Sequence, residues 1–146
     1  MQIETVKQGK KDYLPLLLLA DPSERMIDRY LDKADMYVLR VKGRAVCEAV
    51  VERVSGNEWE LKNLATAEKE QGKGYASALL QFLFSHYRGE KAVMTVGTSE
   101  GGVPFYERFG FVRSAVRPRF FLTGYETPIY ENGRLCRDMI LLRKEL

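Results

Sequence analysis

The spacing of apolar residues changes along the chain, and the changes divide it into elements. Met1 to Lys7 alternates weakly between apolar and polar, which predicts an edge strand. Tyr13 to Ala20 is almost continuously apolar and predicts a short, mostly buried helix. Asp21-Pro22-Ser23-Glu24 predicts a restart, with Asp21 as N-cap, Pro22 at the first helical position and Glu24 at the third. Met26, Ile27, Tyr30 and Leu31 give that helix an apolar stripe. Three strand-like runs follow. Met36 to Val41 and Ala45 to Val54 flank a hairpin turn at Lys42-Gly43-Arg44. Ser55-Gly56-Asn57 turns the chain into a third run, Trp59 to Ala67, and such short connections make the three antiparallel neighbours.

The period then changes. After Gln71-Gly72-Lys73-Gly74, apolar residues fall at Ala76, Leu79, Leu80, Leu83, Phe84 and Tyr87, a helical period with Gly89 as C-cap. Ala92 to Val96 is a short strand bounded by Gly97. Strand, helix and strand in this order imply a parallel crossover pair in the middle of the sheet. A short helix spans about Val103 to Arg108 and ends at Gly110. Phe111 to Leu122 and Arg134 to Leu142 read as late strands around an irregular segment, Thr123 to Gly133. The order β-α-α-β-β-β-α-β-α-β-β describes an α/β (α+β) sheet, mostly antiparallel, with one parallel βαβ unit.

Composition narrows the chemistry. The chain has 146 residues, 45% apolar and 29% charged, which suits one folded domain over 1–146 and argues against disorder. With 23 basic and 20 acidic residues the net charge is +3, too weak a field to argue for nucleic-acid binding by bulk charge. His86, Cys47 and Cys136 cannot fill an ordinary zinc site without a carboxylate, and no metal is expected. His86, near the end of the long helix, is expected to be structural or solvent-facing. Both cysteines sit in apolar runs and read as small buried hydrophobes rather than a disulfide framework. The apolar run Leu14 to Ala20 is too short to span a membrane and lacks a signal-peptide cleavage pattern. The expected setting is cytoplasmic.

The turn Gln71-Gly72-Lys73-Gly74-Tyr75-Ala76 hands a strand over to a helix. Glycines there let a ligand approach the backbone, and the first helical N–H groups carry the positive end of the dipole. Together they suit a phosphate, and Lys73 adds charge. The turn fails both the P-loop pattern, since Gly74 follows Lys73, and the dinucleotide fingerprint, since Ser77 stands where its last glycine belongs. Gln71-x-x-Gly74-x-Ala76 does match the Q/R-x-x-G-x-G/A motif of the GCN5-related N-acetyltransferases (GNAT). Phe105-Tyr106-Glu107-Arg108-Phe109-Gly110-Phe111 resembles the family's later Tyr-Glu-x-x-Gly-Phe stretch. The element order is the family's too. The resemblance covers nearly the whole chain and is clearest from Trp59 to Val112.

The resemblance implies an acetyl-CoA-dependent N-acetyltransferase that moves an acetyl group to a primary amine by direct attack on the thioester. It implies that Gln71, Gly72, Lys73, Gly74, Tyr75 and Ala76 cradle the pyrophosphate, and that Leu64, Ala65 and Thr66 run beside the pantetheine arm. It implies that Tyr106 protonates the leaving thiolate. Glu60, eleven residues before Gln71, stands where one branch of the family carries its base. A solvent-facing strand glutamate is the equal alternative reading of Glu60, and Glu48 and Glu52 are rival bases. The chain departs from the family at two points: Ser99 stands where Asn is usual, able to donate one bond to the coenzyme, and Gly102 stands where Ala is usual.

The expected partners are acetyl-CoA and an amine acceptor, small molecule or peptide, with no membrane and no nucleic acid; a homodimer is left open. Arg113, Arg117 and Arg119 with Phe120, Phe121, Tyr125 and Tyr130 invite a nucleic-acid reading. Arginines outward and aromatics packed on an alternating strand explain them better. Glu126 and Glu131 would instead attract a cationic amine, so these cues oppose one another. A catalytically silent acyl-CoA sensor on the same fold is the alternative function.

Overall fold

The computed structural model describes residues 1–146. Its contacts divide the chain into two compact units, residues 1–92 with Leu146, and residues 93–145.

The first unit contains β1 (Gln2–Thr5), α1 (Leu14–Ala20), α2 (Glu24–Asp28), β2 (Asp35–Val41), β3 (Arg44–Ser55), β4 (Glu58–Thr66) and α3 (Tyr75–Tyr87). β1 pairs only with β2 within this unit, as the expected edge strand. β2, β3 and β4 are antiparallel neighbours. Lys42 (φ 53°) and Gly43 (φ 79°) both take the left-handed conformation that twists a two-residue hairpin correctly. Arg44 already belongs to β3, opposite Val41.

Strand alternation sends Glu48, Val50 and Glu52 to one face of β3, and Cys47, Ala49 and Val51 to the other. On the first face Leu17, Ile27, Tyr30 and Leu31 pack with Met36, Val38 and Val50. On the second, the Tyr37 ring meets Phe82 and Tyr87 of α3 edge-on, and Trp59 lies 5.2 Å from Tyr87. Tyr87 donates to Asp35 at 2.7 Å, so its hydroxyl is satisfied inside the packing. Opposite β3, β4 carries an extra residue: Val50 faces Asn63 and Val51 faces Leu61, leaving Lys62 as a bulge.

Two expectations about the first helices are corrected. Only Leu17 of α1 is buried, so the helix is not mostly enclosed. The N-cap of α2 is Ser23 rather than Asp21. Ser23 is extended and its hydroxyl accepts from Met26 N at 3.2 Å. The Asp21 carboxylate closes a local turn on Ser23 N instead, which delays the helix by one residue past the serine. Gly89 is not a left-handed cap either. Arg88 ends α3, and the left-handed residue is Lys91.

The second unit contains β5 (Val93–Thr98), α4 (Val103–Glu107), β6 (Val112–Arg117), α5 (Phe120–Thr123), β7 (Tyr130–Glu131), β8 (Arg134–Leu135) and β9 (Met139–Glu145). β9 pairs antiparallel with both β5 and β6. Gly97 does not bound β5 but lies inside it, opposite Leu141, where a side chain would strike Met139. The expected strand from Phe111 to Leu122 stops at Arg117. Arg119 turns the chain at φ 58°, and Phe120 and Phe121 begin the helical turn α5, where they pack with Tyr125. The aromatics are therefore packed, but not by strand alternation. The expected strand from Arg134 to Leu142 is likewise two pieces, β8 and β9, and β7 with β8 forms a hairpin in the segment read as irregular. No helix is long and apolar enough to cross a membrane.

Candidate active site

In the first unit, β4 ends at Thr66, a 3-10 turn follows at Glu68–Glu70, and α3 begins at Tyr75. Gly72 (φ 80°) and Gly74 (φ 86°) shape the approach to α3, and Gly74 is its N-cap. No side chain caps this end, and the first backbone bond inside the helix is Ala78 N to Gly74 O at 3.0 Å. The N–H groups of Tyr75, Ala76 and Ser77 precede it, so they form the positive terminus that suits an anion. A Cβ at Gly72 or Gly74 would meet no protein atom within 4 Å. The protein itself does not need the space these glycines leave. Such a cradle fits a pyrophosphate.

Gln71 and Lys73 are tied to the turn. Gln71 Nε2 donates to Thr66 O at 3.1 Å, which fastens the turn to the end of β4. Lys73 pairs with Glu70 at 2.9 Å, and Arg44 reaches Glu70 from the other side at 3.4 Å. Lys73 holds the Glu70 carboxyl below its ordinary pKa. An incoming phosphate would share Lys73 with Glu70.

Leu64, Ala65 and Thr66 lie opposite Ala49, Glu48 and Cys47. Glu60 lies opposite Glu52, near the start of β4. Glu60 is partnered by Lys62 at 3.4 Å and Glu52 by Lys33 at 3.0 Å. Glu48 differs. It is 0% exposed, and neither carboxylate oxygen has a hydrogen-bond partner. Burial drives its pKa well above the ordinary value of 4.5. Asn63, on the same face, donates to Leu17 O and to the Tyr30 hydroxyl, each at 3.1 Å, while its Oδ1 has no partner. Sequence reasoning named Glu48 only as a rival base and missed Asn63 and Tyr30. The signal for Asn63 is a polar residue at an inward position, visible once the Lys62 bulge is counted.

A glutamate whose folded pKa lies above its unfolded one binds more protons folded than unfolded in the interval between them. Its contribution to stability is therefore lost as pH rises through that interval. We expect denaturation curves of Glu48→Gln and wild type to diverge in favour of the variant as pH rises above 4.5. A constant difference between pH 4 and 8 would contradict this.

In the second unit, Tyr106 is the fourth residue of α4. Its ring is half-buried, edge-on to Phe105 at 5.0 Å and to Phe111 at 5.6 Å. Gly110 (φ 91°) then turns the chain into β6. Ser99 precedes the turn leading into α4, and its hydroxyl donates to Glu131 at 2.5 Å. Ser99 is therefore committed to the β7–β8 hairpin. The change of Ala to Gly at 102 has a local cause: a Cβ there would collide with the Thr98 side chain.

Other reactive groups are occupied. The His86 ring packs against Tyr37, Phe82 and Tyr87. Both cysteines are buried and free, and burial pushes each thiol up to about 11. No three His, Cys, Asp or Glu side chains converge as a metal site.

A sequence model of the acetyltransferase (GNAT) domain matches residues 32–113, more than half of the chain. The chain belongs to the GNAT acetyltransferases. GNAT proteins resemble it over their whole length. An acetyltransferase of this family from Elizabethkingia anophelis, solved with acetyl-CoA bound, is 33% identical, with TM-score 0.91 over 99% of this chain and 97% of that one. The IAA acetyltransferase from Bacillus cereus is 34% identical, with TM-score 0.89 over 99% of each chain. An uncharacterised N-acetyltransferase of Bacillus subtilis, YvbK, is 29% identical over 100% of this chain and 97% of its own. The GNAT fold is thus the one implied by the sequence: mixed α/β, mostly antiparallel, with flanking helices.

Proposed function

We propose that residues 1–146 act as one acetyltransferase domain, which moves the acetyl group of acetyl-CoA to a primary amine without a covalent enzyme intermediate. The observation that carries this reading is the turn at 71–76: two left-handed glycines and three forward N–H groups at the start of a thirteen-residue helix, on a chain of the GNAT family. Acetyl-CoA supplies a thioester as acyl donor. In this reading Gly72, Gly74, Tyr75 and Ala76 offer backbone to its pyrophosphate, Gln71 holds the turn to Thr66, and Lys73 contributes charge. Leu64, Ala65 and Thr66 offer backbone to the pantetheine arm, and Ser99 meets the coenzyme once released from Glu131. Free, buried thiols suit a reducing cytoplasm, where cell fractionation should recover the chain.

The proton balance sets the roles. An alkylammonium, with a pKa of about 10.4, loses two protons in becoming an amide, and the departing sulfur takes up one. Tyr106 gives the sulfur its proton, since a phenol with a pKa of about 10 stays protonated at neutral pH. Glu60 takes a proton from nitrogen through water. The pH–rate profile tests Glu60: the acidic limb of kcat/KM should change in Glu60→Gln, and an unchanged limb would remove Glu60 from the mechanism.

Coenzyme binding is checked separately. At 100 times its Kd, acetyl-CoA should stabilise the fold by about 2.7 kcal/mol. No thermal shift at that excess would contradict the reading. Stabilisation without acetylation of any amine would favour the sensor.

A further inference from the structure

Three acceptor atoms stand unpartnered inside the first unit: both carboxylate oxygens of Glu48 and the amide oxygen of Asn63. Buried polar groups are almost always satisfied, so three such atoms together require an explanation. The other carboxylates on this face of the β3–β4 ladder do not need one, since Glu52 and Glu60 each hold a lysine.

The register brings the three atoms together. Glu48 faces Ala65 across the ladder, and Asn63 faces Val50. Glu48 and Asn63 are therefore diagonal neighbours on one face, a separation of roughly 7–8 Å between backbones that long side chains close. Ala65, opposite Glu48, contributes only a methyl group. Asn63 is fixed by its bonds to Leu17 O and the Tyr30 hydroxyl, which aim its nitrogen toward α1 and α2 and leave its oxygen uncommitted. Once Glu48 is ionised, all three orphans accept and none donates. The complementary group is one rich in N–H, and a primary ammonium has three.

We propose that Glu48 and Asn63 form the site for the acceptor's primary amine, with Glu48 as the group that takes its first proton. This rests on the acetyl-CoA reading above, in which the pantetheine arm runs along Leu64, Ala65 and Thr66, beside Glu48. An ammonium that enters displaces the Glu48 proton to solvent and pairs with the carboxylate. Transfer of one N–H proton to Oε then leaves a neutral amine and a neutral carboxylic acid, the pair that a buried site favours. The nitrogen lone pair attacks the thioester carbonyl carbon and the C–S bond breaks. The sulfur takes the Tyr106 proton, and the second N–H proton leaves through the Glu60 water to solvent, from which Tyr106 is reprotonated. One proton is released overall, and Glu48 ends as it began. Glu48 is 0% exposed, so access for the amine requires α1 and α2, helices of seven and five residues, to shift outward.

The test uses the full chain with acetyl-CoA and a panel of n-butylamine, phenethylamine, putrescine and a lysyl peptide, following thiol release. For whichever amine the wild type acetylates, E48Q and E48M should lower kcat/KM by about 100-fold or more, the scale of a lost acid–base group. Acetyl-CoA Kd should stay within about twofold, because the pyrophosphate turn is untouched. E48M should melt at or above the wild-type temperature, since an apolar chain replaces a buried carboxyl with no partner. Wild-type kcat/KM in either variant would overturn the proposal. So would a lower Tm with lost acetyl-CoA binding in both, which would make Glu48 part of the fold alone. Acetylation of no amine in the panel by a wild type that binds acetyl-CoA would overturn it too and leave the coenzyme reading intact. Absence of acetyl-CoA binding by the wild type would instead overturn the reading on which it rests.

Discussion

Gly74→Val should weaken acetyl-CoA binding about 100-fold, or about 2.7 kcal/mol, while leaving the protein folded. The residue takes φ 86° at the N-terminus of α3, and a Cβ there meets no protein atom. A side chain costs something for the left-handed backbone, on the order of 1–2 kcal/mol and more when β-branched. Its larger effect falls on the ligand, because the isopropyl group occupies the space in front of the N–H groups of Tyr75 and Ala76. Gly43 provides the control. It is also left-handed, at φ 79°, and also opens on space, but in the hairpin between β2 and β3. Gly43→Val should lower Tm by a similar amount and leave acetyl-CoA binding unchanged. Isothermal titration of both variants separates strain from obstruction. Equal Kd values for the two would remove the turn from the coenzyme site.

The second large effect is expected at Tyr106. Tyr106→Phe removes one oxygen from a half-buried ring that keeps its edge contacts to Phe105 and Phe111. Packing should survive, and Tm should move little. If the phenol delivers the proton to the departing thiolate, kcat should fall about 10²–10³-fold, within the range of a lost general acid. Acetyl-CoA Kd should stay within about twofold, since the proposed pyrophosphate site is the turn at 71–76. The loss should also depend on the leaving group, because a less basic thiolate needs its proton less. An acyl donor with a more acidic thiol should recover much of the rate in the variant. Unchanged kcat with acetyl-CoA would remove Tyr106 from the mechanism.

What could be read from the sequence depended on whether a local cause governed each element. The hairpin at Lys42-Gly43 and the body of the long helix α3 follow from turn chemistry and period and are present, while Arg44 belongs to β3 and Arg88, not Gly89, caps the helix. The turn at 71–76 was legible because glycine is the residue that marks a left-handed backbone. Arg119 takes the same conformation without that mark, so the end of β6 and the helical turn at Phe120–Thr123 were not visible. The cap of α2 was displaced because Asp21 and Ser23 both suit the role, and only the Ser23 bond to Met26 decides between them.

The candidate site divides in the same way. Tyr106 and the residues 71–76 stand out because their neighbours form a motif. Glu48 does not, since a glutamate in a strand ordinarily faces water. Its burial depends on α1 and α2 covering the face it shares with Val50, a tertiary fact. Ser99 shows the converse: its position suggested a ligand contact, and the structure adds a competing partner, Glu131, from thirty-two residues further on.

The most direct test of the central claim is to measure thiol release and product mass together, with acetyl-CoA and the amine panel at neutral pH. Both cysteines are buried with thiols raised to about 11, so the native protein contributes little background to thiol detection. Acetyl transfer to a primary amine requires one free coenzyme A thiol for each amine that gains an acetyl group, above the rate of hydrolysis without amine. Tight acetyl-CoA binding with neither thiol release nor an acetylated product from any amine would contradict the account and favour a sensor.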